Sequence, residues 1–268
     1  MSEPKPEKEA VERSAPKALV IFEAVRQEAE HELERPSSSL AWSGLAAGLS
    51  MGFSLIAQAL LASYIPDASW TPLISKFGYS VGFLIVILGR QQLFTENTLT
   101  PVLQLLKKKD LDVLKNVGRL WSIVLIANVA GAFLFALGIA SIDIFNPEVY
   151  EEFNRISTGL VEHNFSITFF SAIFAGWLIA LIIWLLPFAE QARIWVIIII
   201  TYLIGLGEFP HIIAGSVDTL YGVLAQQISV WKFISSFFIP TLLGNIVGGV
   251  ALVAVINYAQ IIYEHTIE

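Results

Sequence analysis

The chain contains no cysteine. That excludes disulfides, thiolate nucleophiles and cysteine-ligated metal or iron–sulfur centres. Charge is also scarce: 15% of the 268 residues are Asp, Glu, Lys or Arg, against about a quarter in an ordinary soluble domain. Histidine occurs four times, at His31, His163, His211 and His265. No His/Glu cluster has metal-ligand spacing and no nucleophile–base pair is visible, so neither a cofactor nor an enzyme is expected. The net charge of −7 lies largely in the tail and loops, which gives no reason to expect a nucleic-acid partner. Residues 1–18 are charged and contain proline, without the apolar centre of a secretory signal peptide.

What the chain has in excess is apolar sequence, 55% of residues with a mean hydropathy of +0.68. It falls into runs of about 20 residues, the length that crosses ~30 Å of hydrocarbon. Six spans are expected, at about 40–64, 74–104, 116–140, 166–186, 192–224 and 232–262. The chain divides into a tail, 1–36, a membrane domain, 37–264, and a short end, 265–268. In the tail, Leu19, Phe22, Val25, Ala29 and Leu33 recur at helical spacing. Such a helix packs on its own protein or lies in the membrane surface. The Glu-rich polar face suits anionic lipid poorly and favours the first. The stretch 141–165 reads as the longest loop, outside the membrane.

Lysine and arginine set the orientation. The tail, the 105–119 connection and Arg193 hold twelve of them, whereas Lys76, Arg155 and Lys232 are the three on the opposite side. Both termini are therefore expected in the cytoplasm.

Two of the spans are interrupted. The second breaks at Gly89-Arg90-Gln91-Gln92-Leu93-Phe94-Thr95-Glu96-Asn97, the fifth at Gly205-Leu206-Gly207-Glu208-Phe209-Pro210-His211. The third and sixth carry Asn128 and Asn245 in similar surroundings, Ala127-Asn128-Val129-Ala130-Gly131 and Gly244-Asn245-Ile246-Val247-Gly248. Three spans per half is an odd number, so the halves must run in opposite directions. The expected fold is an all-α membrane protein of six helices, two inverted three-helix repeats with the second and fifth helices broken. Broken helices in such repeats mark a substrate path near the bilayer midplane.

Glycine and proline supply the breaks: Gly89, Gly205, Gly207 and Pro210. The N-terminus of each resumed helix then presents unpaired amides and the positive end of its dipole, a site for an anion. A bare anion crosses an apolar ring poorly and its neutral acid more easily. Phe83, Phe94, Ile204 and Phe209 could form constrictions. His211 between them could exchange a proton with a weak acid, or be a structural histidine. Thr95 could bind the same substrate, or satisfy freed backbone groups. Arg90 near mid-depth calls for a partner, with Glu96 and Glu208 the candidates; alone, it would select anions by its charge. Asn128 and Asn245 read as braces for the loops. Asp218 is a cap, a partner or pore-lining.

These residues resemble the formate/nitrite transporter family, in its less characterised bacterial inner-membrane branch, over about residues 38 to 262. The resemblance rests on Leu93-Phe94-Thr95, His211, Asn128 with Gly131, and Gly244-Asn245-Ile246-Val247-Gly248-Gly249. It implies a homopentamer with an aquaporin-like fold and one pore per protomer in the bacterial inner membrane. It implies formate, nitrite, hydrosulfide or similar weak acids as cargo, with protons and membrane lipid as further partners. It also implies that His211 and Thr95 are pore residues and that Leu93, Phe94, Phe83 and Ile204 form constrictions. The chain departs from the family pattern at Arg90-Gln91-Gln92 and at Gly176-Trp177. Those departures keep open an alternative, a non-conducting or differently selective binding or signalling protein of the same fold.

Overall fold

The computed structural model describes residues 17–257 and 259–260. Residues 1–16, the end of the sixth expected span and the stretch 265–268 lie outside the described residues. Regular structure among the described residues is helical: α1 (Ala18–Glu34), α2 (Ser37–Tyr64), α3 (Thr71–Leu88), α4 (Thr100–Lys108), α5 (Leu111–Ser141), α6 (Pro147–Gly159), α7 (Phe165–Phe188), α8 (Arg193–Leu206), α9 (Ile212–Leu224) and α10 (Val230–Val255). Five of these, α2, α3, α5, α7 and α10, are long and apolar enough to cross a membrane, while α8 and α9 are shorter apolar helices. Where one span is expected over 192–224 there are thus two helices, and the stretch expected as 74–104 is divided between α3 and α4.

Local chemistry explains the ends. Proline stands at the start of α3, α4 and α6, where its missing amide is no loss. Side chains cap others: Asp110 accepts from the Asp112 amide at 2.8 Å, Asn164 from Ile167 at 3.0 Å, and Ser229 from Lys232 at 3.1 Å. Such caps are each worth about 1 kcal/mol. Within α10, Pro240 cannot donate to the turn before it, and that turn, Phe233–Phe238, widens to a π-helix. A second π-segment follows at Gly248–Val255.

Two helix pairs form the frame, α2 on α5 and α7 on α10. Both depend on close backbone approach. A Cβ on Gly48 would lie 2.1 Å from the carbonyl oxygen of Asn128, and one on Gly176 would lie 2.2 Å from that of Asn245. Small residues at such crossings allow the van der Waals contact that drives helix association in lipid.

Two further helices, α1 and α6, belong to none of the expected spans. The apolar face of α1 is turned onto the protein: Phe22, Val25 and Ala29 are buried, and the first two join Leu99, Val102 and Leu103 and Ala180 of α7. The stretch 141–165, expected as a loop, contains the 13-residue helix α6. Its Val149 and Phe153 are buried, and Phe153 makes edge contacts with Phe145, Tyr150 and, from α9, Tyr221. The charged residues of this stretch concealed an apolar face at helical spacing, Val149, Phe153 and Ile156, begun by Pro147.

Candidate functional site

The chain breaks after α3 and after α8 by one device. Gly89 and Gly207 donate to Ile85 and Leu203, both at 2.9 Å; Arg90 and Glu208 donate to Ile87 and Gly205, both at 3.2 Å. Gln91 and Phe209 donate to Val86 and Ile204 at 3.0 and 3.1 Å. The last two bonds of each set make a Schellman cap, whose left-handed residue is usually glycine. Here it is Arg90 in one break and Glu208 in the other, with φ of 50° and 51°. The glycines were expected to supply this conformation, but no described glycine has a positive φ. They serve close approach instead: a Cβ on Gly205 would lie 3.0 Å from the Tyr79 Cβ. Placing a side chain at a left-handed position costs on the order of 1 kcal/mol, so Arg90 and Glu208 stand there against local preference.

After each cap the backbone returns into the protein and is held by an asparagine. Asn128, on α5, accepts from the Phe94 amide at 2.9 Å and donates to the Gln92 and Gly44 carbonyls at 2.8 and 2.7 Å. Asn245, on α10, accepts from the Ile212 amide at 2.9 Å and donates to the Pro210 and Ala172 carbonyls at 3.0 and 2.8 Å. Each side chain satisfies one amide and two carbonyls, all in the interior. Left unpaired, each such group would cost about 1–3 kcal/mol. The amides expected to be free for an anion are therefore partly taken: Phe94 and Ile212 by the asparagines, and Ala214 by His211.

The two breaks meet through Thr95 and His211, whose Oγ1 and Nε2 are 2.7 Å apart. Both residues are buried. His211 is also the N-cap of α9, and its Nδ1 accepts from the Ala214 amide at 3.2 Å. An acceptor Nδ1 carries no proton, so the neutral ring holds its proton on Nε2 and donates it to Thr95. The threonine hydroxyl hydrogen is then free to point elsewhere. Around this pair the walls are apolar. Phe83 meets the imidazole edge-on at 5.0 Å between centroids. Leu93, Phe94 and Ile204 are buried in the same cluster, with Phe209 packed against it. Phe94 rests on Trp121 at 5.8 Å, and Phe209 stacks on Phe174 at 5.2 Å. Trp121 is itself fixed by donating to the Asn97 carbonyl at 2.8 Å.

One cavity reaches the pair at His211, and another lies at the first break. One, of about 110 Å³, runs from the Lys76, Arg155 and Glu208 surface to His211, past Ile204, Phe209 and Asp218. The other, of about 750 Å³, lies beneath α1 and reaches Gln92 and Glu96. The helix α8 spans the distance between them, from Arg193 in the second to Gly205 in the first.

The ion pairs differ from expectation. Arg90 pairs with Glu28 of α1, not with Glu96 or Glu208. Its side chain is 73% exposed, because the Schellman cap turns it out towards the tail helix. Glu208 faces Lys76 at 3.6 Å. Glu96 has no ion pair among the described residues, and one of its carboxyl oxygens is buried without a hydrogen-bond partner.

Residues 19–259 match the family model described as Formate/nitrite transporter. The chain belongs to the formate/nitrite transporter family. It is 42% identical to the inner membrane protein YfdC of Escherichia coli (strain K12), over 93% of this chain and 81% of that one. It is 26% identical to the formate channel BtFdhC of Bacillus thuringiensis, over 81% and 84% of the two chains. A solved structure, titled a pentameric formate channel with formate bound, superimposes with a TM-score of 0.70 over 89% of this chain and 98% of its own, at 21% identity. The fold is therefore that of this family's channels, and the chain is a multi-pass membrane protein of a transporter family, not an enzyme.

Several residues that shape the site are not evident from the motifs. Glu28 and Glu32 of α1 hold the first break, through Arg90 and through Gln92 at 2.6 Å. His163 lines the cavity of His211, and His31 that of Glu96. Only the unusual Arg90-Gln91-Gln92 and the Glu-rich helix face signalled the first contact, and they lie some 60 positions apart.

Proposed function

We propose that this protein conducts small monovalent anions or their neutral acids, such as formate, nitrite or hydrosulfide, through a pathway inside each protomer. The spans form two inverted three-helix repeats: α2, α3 with α4, and α5 in the first; α7, α8 with α9, and α10 in the second. The matched caps and asparagine braces support that pairing, and α3/α4 and α8/α9 are then the two broken helices. By analogy with the pentameric neighbour the protomers assemble as a homopentamer, in a bacterial inner membrane, with both termini in the cytoplasm.

One observation carries this reading: the Thr95–His211 hydrogen bond, the polar link between the two breaks inside apolar walls, with one cavity reaching His211 and another at the first break. A free anion would lose its hydration among Phe83, Leu93, Phe94 and Ile204, whereas the neutral acid passes more cheaply. The pair offers the substrate a hydrogen bond from the Thr95 hydroxyl at that point. The positive ends of α9 and α4 favour the anion on approach. His211 can protonate an anion by one route only. Its Nδ1 must first take a proton, which displaces the Ala214 amide; Nε2 then gives its own.

The test is flux of formate, nitrite and hydrosulfide into proteoliposomes of the purified protein. Flux well above that of protein-free liposomes is expected, rising as external pH falls. No flux for any of these ions, from protein that is folded and inserted, would overturn the reading in favour of a non-conducting binding protein.

A further inference from the structure

Asp218 is the only acidic residue of α9, and it takes no part in the asparagine braces, the His211 cap or the Thr95–His211 link. It follows His211 by seven residues, so the two share a helix face about 10 Å apart along the axis. Both line the same cavity. Asp218 is 4% exposed and has no hydrogen bond or ion pair to another described residue. An ionised carboxylate is costly to bury unpaired, and here the open side of the carboxyl is the path itself. The position excludes a capping role, since a cap acts on the first turn and Asp218 is two turns in.

The groups facing it are few. Lys76 and Tyr79 come from α3, Arg155 from α6, His163 from the segment after it and Glu208 from the break, while α2 contributes the uncharged Gln58. Three of the charged groups already face partners: Lys76 and Glu208 face each other, and Arg155 pairs with Glu152. Beyond these pairs, on the cavity that reaches His211, stands a carboxyl with no hydrogen-bond or ion-pair partner among the described residues. His211 is the poorer donor, because both its ring nitrogens are already bonded.

We propose that Asp218 is the proton-exchange group of the pathway, giving its proton to the arriving anion before the anion meets the Thr95–His211 pair. This rests on the transport reading above. In the step, the O–H bond of the Asp218 carboxylic acid breaks and an O–H bond forms on the formate oxygen, leaving aspartate and neutral formic acid. The aspartate recovers a proton from the bulk solution, carried to it as hydronium by water entering past Lys76 and Glu208. While ionised, it repels a second anion, so anions do not pass unprotonated.

The experiment is formate uptake by proteoliposomes carrying the wild type, Asp218→Asn or Asp218→Glu, across the acid-to-neutral range. Asp218→Asn should reduce the rate at neutral pH on the order of a hundredfold, as loss of a placed proton donor does, and should remove the wild-type pH profile. Asp218→Glu should keep the shape of that profile. An asparagine variant with the wild-type rate and profile would overturn the inference and leave the transport reading standing. A silent wild type would remove both. If the asparagine variant does not assemble, infrared difference spectra of the wild type and Asp218→Glu on adding formate decide. A protonated-carboxyl band that changes with formate and shifts in the glutamate variant supports the proposal, and an unchanged band in that region rejects it.

Discussion

His211 commits both ring nitrogens to the protein: one caps α9 and the other meets Thr95. A role in transport must therefore be separated from a role in folding. His211→Phe keeps a ring of similar size but removes both bonds. Loss of the cap should lower stability by about 1 kcal/mol, seen as a modest fall in Tm with assembly unchanged. Loss of the polar link to Thr95 should abolish formate flux. If the variant carries formate at the wild-type rate with the same pH profile, the residue is structural. That histidine and threonine face each other across the breaks was legible from their positions in two similarly interrupted spans. The partner of Arg90 was not. Reading Arg90 as intramembrane directed the search to Glu96 and Glu208, whereas the left-handed cap sends the side chain outward to Glu28. A turn of backbone decides which charges meet, and hydropathy says nothing about that turn.

At the scale of elements, the long apolar helices were legible because lipid forces backbone pairing within each segment. The starts of α6 and α10 lie near Pro147 and Ser229, residues that begin helices. The helix in 141–165 was missed because five charged side chains at Glu148, Glu151, Glu152, Arg155 and Glu162 outweighed three apolar ones. The tail helix shows the converse, a charged surface that is itself the attachment. Arg26 contacts Glu23 and Glu30 at 2.7 and 3.0 Å, and Lys107 and Lys108 of α4 reach the same two carboxylates at 3.1 and 3.3 Å. Burial works against ionised Glu23, but hydrogen bonds from Arg26 and Lys107 outweigh it and hold the carboxyl below its ordinary value. A hydrogen bond from Gln104 lowers Glu30, with Lys108 and Arg26 adding to it. Groups depressed in this way favour the docked state fully above the ordinary glutamate value of 4.5, and that contribution is lost as pH falls through the lower docked value. Backbone hydrogen exchange in α1 should therefore quicken relative to that in α2 as pH drops below this range, and also at high salt, which screens exposed pairs. Equal protection of α1 at neutral and strongly acid pH would mean that Phe22 and Val25 hold it unaided.

For the whole molecule, sidedness is the property most open to a direct test. The uneven distribution of lysine and arginine was legible in the sequence, and the structure gathers Arg26, Arg35, Lys107, Lys108 and Arg119 around α1 at one end, with Lys76 and Arg155 beside the cavity at the other. The assignment of the first end to the cytoplasm rests on the rule that positive loops stay inside. The lack of native cysteine makes the check simple, because any introduced thiol is the only one. Lys108→Cys and Glu151→Cys place a thiol at exposed positions on opposite ends. In right-side-out vesicles a membrane-impermeant maleimide should label Glu151→Cys and spare Lys108→Cys, and inverted vesicles should reverse the pattern. Lys108→Cys removes one exposed pair with Glu30, worth up to about 1 kcal/mol, and neither substitution touches a membrane-spanning core, so both variants should insert as the parent does. Labelling of Lys108→Cys from outside would invert the assignment. The Asp218 cavity would then open to the cytoplasm, and a proton passed there would enter transport from the cell interior.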